Sequence, residues 1–256
     1  MPARLSRYTA QQRHRLTTVC IASIVSLVVT AAAQAQTSVM KNCEQTDSAP
    51  LVVRACSAIL NMPDLSPAER KRILLLRGVG WTKEEDFAAA AEDFSGAIKL
   101  EPANVAALEG RAHALSKLAQ HPKATDDWSK LISLQPKNDA YYRNRGTERS
   151  ISGQHQEALA DFDAALAINP KGVEAYMGRA QVFHAMKDRD RANQEFEKGI
   201  AVNENYLPLH WARAEMAEDW GNSDLAIASY VKVLKINGVY EDARRRLQRL
   251  GVFTPP

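Results

Sequence analysis

Apolar residues recur along most of the chain with the period of an amphipathic helix. In the segment from residue 173 to residue 186, Tyr176, Ala180 and Phe183 stand at positions i, i+4 and i+7 and therefore share one helix face. The segment from residue 190 to residue 202 shows the same pattern after a short polar turn. Two such helices of about 14 residues cannot bury their apolar stripes alone. The pattern therefore predicts helix pairs that stack on further pairs.

These helix pairs recur with a period of 34 residues. An arginine followed by a small residue returns at this spacing: Arg77-Gly78, Arg111-Ala112, Arg145-Gly146, Arg179-Ala180 and Arg213-Ala214. Twelve residues after each small residue stands an alanine: Ala90, Ala124, Ala158, Ala192 and Ala226. Four residues further stands an aromatic: Phe94, Trp128, Phe162, Phe196 and Tyr230. Near the end of each unit stands Pro102, Pro136, Pro170, Glu204 or Gly238. Columns that stay in phase over five units indicate an internal repeat.

This pattern closely resembles the tetratricopeptide repeat. The resemblance covers five units, residues 71–104, 105–138, 139–172, 173–206 and 207–240. It implies an all-α fold, an α-solenoid of helix-turn-helix units that forms a right-handed superhelix. In each unit the small residue and the alanine let two helix backbones approach closely, and the aromatic fills the space where the pair meets the next unit. Three residues depart from the pattern, because they stand where a bulky apolar residue is usual: Arg149, Ala217 and His210.

The N-terminus, residues 1–35, has the layout of a secretory signal peptide. Four arginines and no acid accompany an apolar run from residue 16 to residue 33, which an Ala-x-Ala step ends at Ala35. An uncleaved membrane anchor is the alternative, because a run of about 18 residues is at the lower limit of a membrane span. Cleavage after Ala35 leaves 29 basic and 30 acidic residues, a formal net charge of −1. We therefore expect a periplasmic or secreted protein with no nucleic-acid partner and no membrane attachment after cleavage.

Residues 36–70 are expected to form an N-terminal cap on the repeats. Cys43 and Cys56 are the two cysteines that remain after cleavage, and an even pair in an exported protein favours a disulfide. Two free buried thiols are the alternative. Ser66 is expected to cap the helix that follows, with Pro67 in its first position.

Residues 241–256 are expected to form a C-terminal capping helix and a tail. The helix would place its arginines on a solvated face: Arg244, Arg245, Arg246 and Arg249. A basic docking patch is the alternative use of these side chains.

A second column of the repeat consists of acidic residues. Sixteen residues after the repeated arginine, the first four units have Asp93, Asp127, Asp161 and Glu195, and the fifth has Ser229. Antiparallel helices bring the two positions together, so we expect an ion pair within each of the four units. A ladder of free guanidinium groups that binds an anionic ligand is the alternative.

No catalytic or metal-binding motif stands out. The histidines form no H-E-x-x-H motif and no Cys/His cluster with metal spacing, and the chain has no G-x-S-x-G elbow or glycine-rich phosphate loop. We therefore expect no enzyme activity, no cofactor and no metal.

The resemblance also implies where a partner binds. The first helices of tetratricopeptide repeats line a concave groove that usually holds a peptide or a protein helix. By phase, the residues expected to face this groove are Arg72, His113, Arg143, Asn144, Thr147, Met177, Gln181, His184, Trp211, Glu215 and Glu218. Asn144 matches the asparagine with which such grooves often hold the backbone of a ligand. The basic residues come earlier in the chain than the acidic ones, so the groove is expected to orient a bipolar peptide.

The predicted function is that of an exported protein–protein interaction scaffold with a protein or peptide partner. A dedicated structural or assembly factor of a cell-envelope or secretion complex is the alternative, and it differs in having one fixed partner.

The signal peptide generates the first prediction. Protein isolated from its native host should have lost about 35 residues, because a signal peptidase cleaves at the Ala-x-Ala step. Intact-mass spectrometry measures this loss. A full-length mass in the membrane fraction would instead identify the segment as an anchor.

Overall fold

The chain folds into helices that are joined by short turns. The structure is a computed structural model that describes residues 39–44 and 48–252, and within these ranges it contains no strand. Residues 39–44 are helical. The helices that follow are α1 Ala49–Leu60, α2 Pro67–Lys83, α3 Phe87–Leu100, α4 Val105–Lys117, α5 His121–Leu134, α6 Asp139–Ile151, α7 His155–Ile168, α8 Val173–Ala185, α9 Arg189–Val202, α10 Leu207–Asp219, α11 Ser223–Ile236 and α12 Glu241–Arg249. The predicted all-α chain of helical repeats is confirmed. The predicted signal peptide lies outside the described residues.

The helices belong to two compact units, which are described separately. The first unit extends to Pro102 and the second begins at Ala103. In the first unit, α2 packs on both α1 and α3. In the second unit, the helix pairs α4–α5, α6–α7, α8–α9 and α10–α11 pack within themselves, and α12 packs on α11.

A disulfide joins the two ends of the N-terminal segment in the first unit. Cys43 and Cys56 are bonded, with their Cα atoms 5.0 Å apart, and both are buried with Ile59 and Ile73. The bond fastens residues 39–44 to α1, which is itself packed on α2. The predicted Cys43–Cys56 disulfide is therefore present.

The start of α2 follows the predicted capping chemistry. The hydroxyl of Ser66 accepts a hydrogen bond from the backbone N–H of Glu69 at 3.2 Å, and the carboxylate of Glu69 accepts one from the backbone N–H of Ser66 at 2.9 Å. Pro67 occupies the first helical position, where no N–H is needed. This reciprocal pair is a capping box, and it satisfies two donors that the helix cannot satisfy itself.

At the closest helix contacts of the second unit, small residues face an aromatic ring. The repeated alanines are fully buried, and the repeated aromatics are at most 2% exposed. A side chain on Gly178 of α8 would place its Cβ 2.4 Å from the ring of Phe162 in α7, and one on Gly146 would lie 3.2 Å from the same ring. Phe162 therefore fills the space between its own unit and the next, as the repeat pattern predicts.

Each turn between paired helices contains one residue in the left-handed backbone region. These residues are Glu85, Ala119, Gly153, Lys187 and Gly221, with φ between 55° and 76°. The residue after each donates its N–H to a carbonyl near the end of the first helix, as Gln120 does to Leu115 at 2.9 Å and Asp188 does to Phe183 at 2.9 Å. The turns therefore end the first helices with a Schellman-type closure, whether or not the left-handed residue is glycine.

The three departures from the repeat pattern have local solutions. Arg149 turns its guanidinium to the carboxylate of Asp161 at 2.7 Å instead of packing as an apolar side chain. Ala217 is fully buried. His210 is 4% exposed, and its Nε2 donates to the backbone carbonyl of Glu204 at 2.8 Å.

The close approach of α6 and α7 generates the second prediction. The carbonyl oxygen of Ala158 lies 3.3 Å from the place where a Cβ on Gly146 would stand, and Ala158 is fully buried. Ala158→Leu should overpack this contact and lower the free energy of unfolding by about 1–3 kcal/mol. Urea denaturation measures the change. Ala160→Leu is the control, because Ala160 is exposed on the same helix. Equal losses for the two variants would contradict the packing described here.

Candidate protein-binding groove and the arginine ladder

The first helices of consecutive repeats contact one another in the second unit. Helix α6 packs against α8, and α8 packs against α10. Of the predicted groove residues, ten lie on α4, α6, α8 and α10 of this unit. Arg72 lies in the first unit, where its guanidinium pairs with the carboxylate of Glu44 at 2.5 Å. We call the surface of α4, α6, α8 and α10 that carries the ten residues the candidate groove.

Three polar residues of the candidate groove are exposed: His113, Thr147 and Gln181. The ring of His113 stands edge-on to Trp128 at 4.9 Å, and the partial desolvation of its inner side lowers the pKa of His113. The hydroxyl of Thr147 donates to the carbonyl of Arg143 at 3.0 Å. Gln181 forms no hydrogen bond with any residue in the described part of the chain. Its amide is therefore available to a partner.

The apolar residues of the candidate groove are half-buried. Met177 packs against the core that α8 shares with α9 and α10. The ring of Trp211 lies between Tyr230 and Tyr240, with both centroids 5.2 Å away. Both side chains thus support the helices that carry the groove and show only part of their surface to solvent.

The charged residues of the candidate groove have partners within the chain. Arg143 pairs with Asp139 at 3.1 Å on the same helix. Glu218 contacts Arg246 of α12 at 2.7 Å, and Glu215 lies 3.6 Å from the same guanidinium. The sequence analysis expected Arg246 on a solvated face. In the structure two carboxylates of α10 contact its guanidinium. These pairs reduce the free charge of the groove at both ends.

Tyrosine–glutamate hydrogen bonds join successive first helices. Tyr141 of α6 donates its hydroxyl hydrogen to the carboxylate of Glu109 in α4, and burial together with this bond raises the pKa of Tyr141 to about 12. Tyr206, next to the start of α10, donates to Glu174 of α8 at 3.2 Å, and burial likewise raises its pKa. Sequence reasoning missed these pairs, because their members lie 32 residues apart and occupy different columns of the repeat.

A histidine adds a further link that the sequence did not indicate. The Nδ1 atom of His121, at the start of α5, lies 2.7 Å from the carboxylate of Glu148 in α6, and Glu148 is 4% exposed. A second histidine, His184, lies in the candidate groove. Its Nε2 is 3.4 Å from Asp219, and its ring is 5.5 Å from that of Trp220.

The repeated arginines form the expected ion pairs. The Arg77–Asp93, Arg111–Asp127, Arg145–Asp161 and Arg179–Glu195 pairs have N–O distances between 2.6 and 3.2 Å. In the first three pairs the carboxylate accepts from both Nε and Nη2 of the guanidinium. All four carboxylates are nearly buried. We call the five repeated arginines the arginine ladder. In four units its arginine is paired with an acid, which favours a structural role over a row of free guanidinium groups.

Several of these arginines also reach the helix that precedes their own unit. Nη1 of Arg145 donates to the hydroxyl of Ser129 in α5 at 3.0 Å. Arg179 pairs with Asp163 in α7 at 2.9 Å, and Arg213 pairs with Glu197 in α9 at 2.8 Å. Each guanidinium therefore ties its own first helix to a second helix of the preceding repeat.

Two other kinds of site, a metal site and a membrane-crossing helix, are absent from the described part of the chain. It contains no group of three or more histidine, cysteine, aspartate or glutamate side chains arranged to hold a metal ion. None of the helices in residues 39–44 and 48–252 has the length and apolar character that a membrane crossing requires.

Comparisons with known proteins agree with the fold. Residues 151–214 match the family model of the tetratricopeptide repeat. A comparison with curated proteins gives no match. The family model therefore confirms tetratricopeptide repeats over residues 151–214, and the solved structures show a likeness of the fold alone.

Three solved structures illustrate this likeness. A tetratricopeptide repeat protein from Parabacteroides merdae is 20% identical, with a TM-score of 0.71 over 85% of this chain and 90% of that chain. A thermophilic protein of the same repeat type from Thermus thermophilus is 23% identical, with a TM-score of 0.58 over 70% and 98%. MamA from Desulfovibrio magneticus is 16% identical, with a TM-score of 0.59 over 68% and 96%.

The arginine ladder generates the third prediction. Asp161 accepts from both Arg145 and Arg149 and is 3% exposed. Asp161→Asn should lower the free energy of unfolding by about 3 kcal/mol, because it leaves two partly buried guanidinium groups without their counter-charge. Thermal and urea denaturation measure the loss.

Asp163→Asn is the matched control for this variant. Asp163 lies two residues away and also contacts an arginine, but its side chain is 60% exposed. Its loss should cost less than about 1 kcal/mol. If both variants were equally stable, the buried pair of Arg145 and Asp161 would not stabilise its repeat more than an exposed ion pair does.

Proposed function

We propose that this array of tetratricopeptide repeats is a protein–protein interaction scaffold that binds a peptide or a protein helix in the candidate groove. The observation that carries the proposal is the surface of α4, α6, α8 and α10, where polar side chains are exposed above a half-buried apolar floor. Interfaces of this composition suit an extended or helical protein segment, because apolar contact supplies affinity and a few polar groups fix the register.

The polar residues of the groove match the chemistry of a polypeptide backbone. Gln181 carries an amide that both donates and accepts, and it has no partner within the described residues. Asn144 is half-buried on the neighbouring first helix and offers a second amide. A backbone presents N–H and C=O groups at regular intervals, so two amides on adjacent helices can hold it without reading its sequence.

The groove is stiffened before a partner arrives. The Tyr141–Glu109 and Tyr206–Glu174 hydrogen bonds join successive first helices. Restricting the relative movement of these helices reduces the conformational entropy that binding would otherwise cost. We therefore expect partner binding to change the backbone of the groove little.

Paired charges limit the electrostatic part of recognition. Arg143 is bound to Asp139, and Glu215 and Glu218 share Arg246. The sequence predicted a groove that is positive in one part and negative in another. These ion pairs weaken that separation of charge. We propose that apolar contacts and amide hydrogen bonds dominate partner binding, and that its strength depends only weakly on salt.

We further propose that the protein works outside the cytoplasm, in the periplasm or in a secreted form. The layout of residues 1–35 and the Cys43–Cys56 disulfide support this location, because disulfides persist in oxidising compartments. A dedicated assembly factor of a cell-envelope or secretion complex is a special case of the same proposal with a single fixed partner.

A site-specific photo-crosslinking experiment generates the fourth prediction. A photoreactive amino acid in place of Gln181 should yield a discrete crosslinked product in the native host, because this side chain lies in the candidate groove. The product should form equally at low and high salt. Mass spectrometry of the product identifies the partner. One partner in all products would favour the assembly factor, and several partners would favour the general scaffold.

Gln194 is the matched control. It is also an exposed glutamine and belongs to the same repeat, but it lies on α9, a second helix. The same photoreactive residue at this position should give no product. Crosslinking at Gln194 without crosslinking at Gln181 would place the binding surface on the second helices and contradict the proposal.

A further inference from the structure

The arginine ladder continues into the fifth repeat without its acid. Ser229 of α11 takes the position that Asp127, Asp161 and Glu195 hold in the preceding repeats. Ser229 is only 4% exposed, and its hydroxyl forms no hydrogen bond with any of the described residues. A small polar side chain thus stands where the preceding repeats bury a carboxylate.

Arg213, the arginine of this repeat, uses only part of its guanidinium. Nη2 contacts the carboxylate of Glu197 at 2.8 Å, whereas Nε is buried and has no acceptor among the described residues. In Arg77, Arg111 and Arg145 the same Nε atom donates to the acid at 2.7, 2.8 and 3.0 Å. Nε of Arg179 also lacks an acceptor, but there Nη2 still reaches Glu195 at 3.2 Å. Among the five repeated arginines, which all lie in the described residues, Arg213 is the one that has no acid to pair with in its own repeat.

Arg213 and Ser229 line the same cleft, which has a volume of about 270 Å³. Lys232 also lines it and adds a second positive charge. His210 also lines the cleft, and burial lowers its pKa. Two acids, Glu197 and Glu204, line the cleft as well, so its lining carries as many acidic as basic side chains. The side chain of Glu197 is 61% exposed, so its ion pair with Arg213 contributes little and can be exchanged.

We propose that this cleft binds a carboxylate supplied from outside the chain, in the position that an acidic side chain occupies in the other repeats. The carboxylate would accept from Nε and Nη2 of Arg213, as the acids of the first three repeats do, and from the hydroxyl of Ser229. A guanidinium edge presents two parallel donors that match the two oxygens of a carboxylate. The acidic side chain of a partner protein and a free small carboxylate share this chemistry. None of the candidate groove residues lines the cleft, so the site does not depend on the proposed groove.

Arginine side-chain NMR tests the site directly. Formate, the smallest carboxylate, is titrated into the disulfide-bonded protein at constant ionic strength with chloride as the balancing anion. The Nε–Hε signal of Arg213 should move and saturate, because its donor gains an acceptor. The Nε–Hε signal of Arg145 should not move, because Asp161 already occupies it. A shift of both signals, or of neither, would overturn the proposal.

Substitutions of Ser229 separate carboxylate binding from a general anion effect. Ser229→Asp restores the acid of the other repeats, so it should raise Tm by about 2–4 °C and abolish the formate shift at Arg213. Ser229→Asn is the matched control, because it has the same size without the charge and should not raise Tm. If Ser229→Asp failed to stabilise the chain and left the formate shift intact, the cleft would not be a carboxylate site.

Two further ligands define the class and the source of the carboxylate. Inorganic phosphate should bind less tightly than formate, and tighter binding of phosphate would contradict the carboxylate assignment. N-acetyl-aspartate N-methylamide carries the carboxylate as a side chain between blocked ends. If this compound also shifts the Arg213 signal, the source is an acidic residue of a partner, whereas a response to formate alone points to a free small acid.

Discussion

The structure depends on a steric constraint at the contact between helices. The aromatic of each second helix can be buried only where the facing first helices leave room for a ring. Phe162 shows the constraint most clearly, because a Cβ on Gly178 of the next repeat would lie 2.4 Å from its ring and one on Gly146 of its own repeat would lie 3.2 Å away. A bulkier residue at either position would push two helices apart. The small residues at these two positions therefore set how closely the two repeats approach each other.

The arginine ladder fixes the register of the packed helices. Apolar contacts alone are compatible with small changes in the register of neighbouring helices, whereas a guanidinium that must reach two acceptors at fixed distances is not. Arg145 meets this requirement by contacting Asp161 in its own repeat and Ser129 in the preceding one. The same arrangement explains why the fifth repeat differs. Arg213 keeps the contact with the preceding repeat through Glu197 but has Ser229 in place of its own acid. The arginine that is paired with an acid in four repeats is thereby a candidate binding site in the fifth.

The candidate groove is a by-product of the same architecture. Stacking buries one side of each first helix, and most of the candidate groove residues lie off that side, whereas Met177 and Trp211 also pack against the core. The tyrosine–glutamate bonds and the Glu218–Arg246 pair then use some of these polar groups to fix the helices. A small set of amides and half-buried apolar side chains remains on this surface, and our proposal of a polypeptide ligand rests on them.

The sequence by itself determined the repeat, the helix pairs, the four arginine–carboxylate pairs and the cysteine pairing. The first three follow from periods and spacings that one helix pair imposes on its own residues, such as the sixteen residues between Arg145 and Asp161. The cysteine pairing is predicted instead from an even pair of cysteines in a chain with a signal-peptide layout. Only the tertiary structure decided the polar contacts between one helix pair and the next. The partners of Tyr141, Glu148 and Arg246 depend on how helices from different repeats are placed. The left-handed residues of the turns are another example, because Ala119 and Lys187 take this conformation without being glycine. The physical reason is that periodicity records which side of a helix is buried, whereas the partner of a polar side chain is set by distances across the stack.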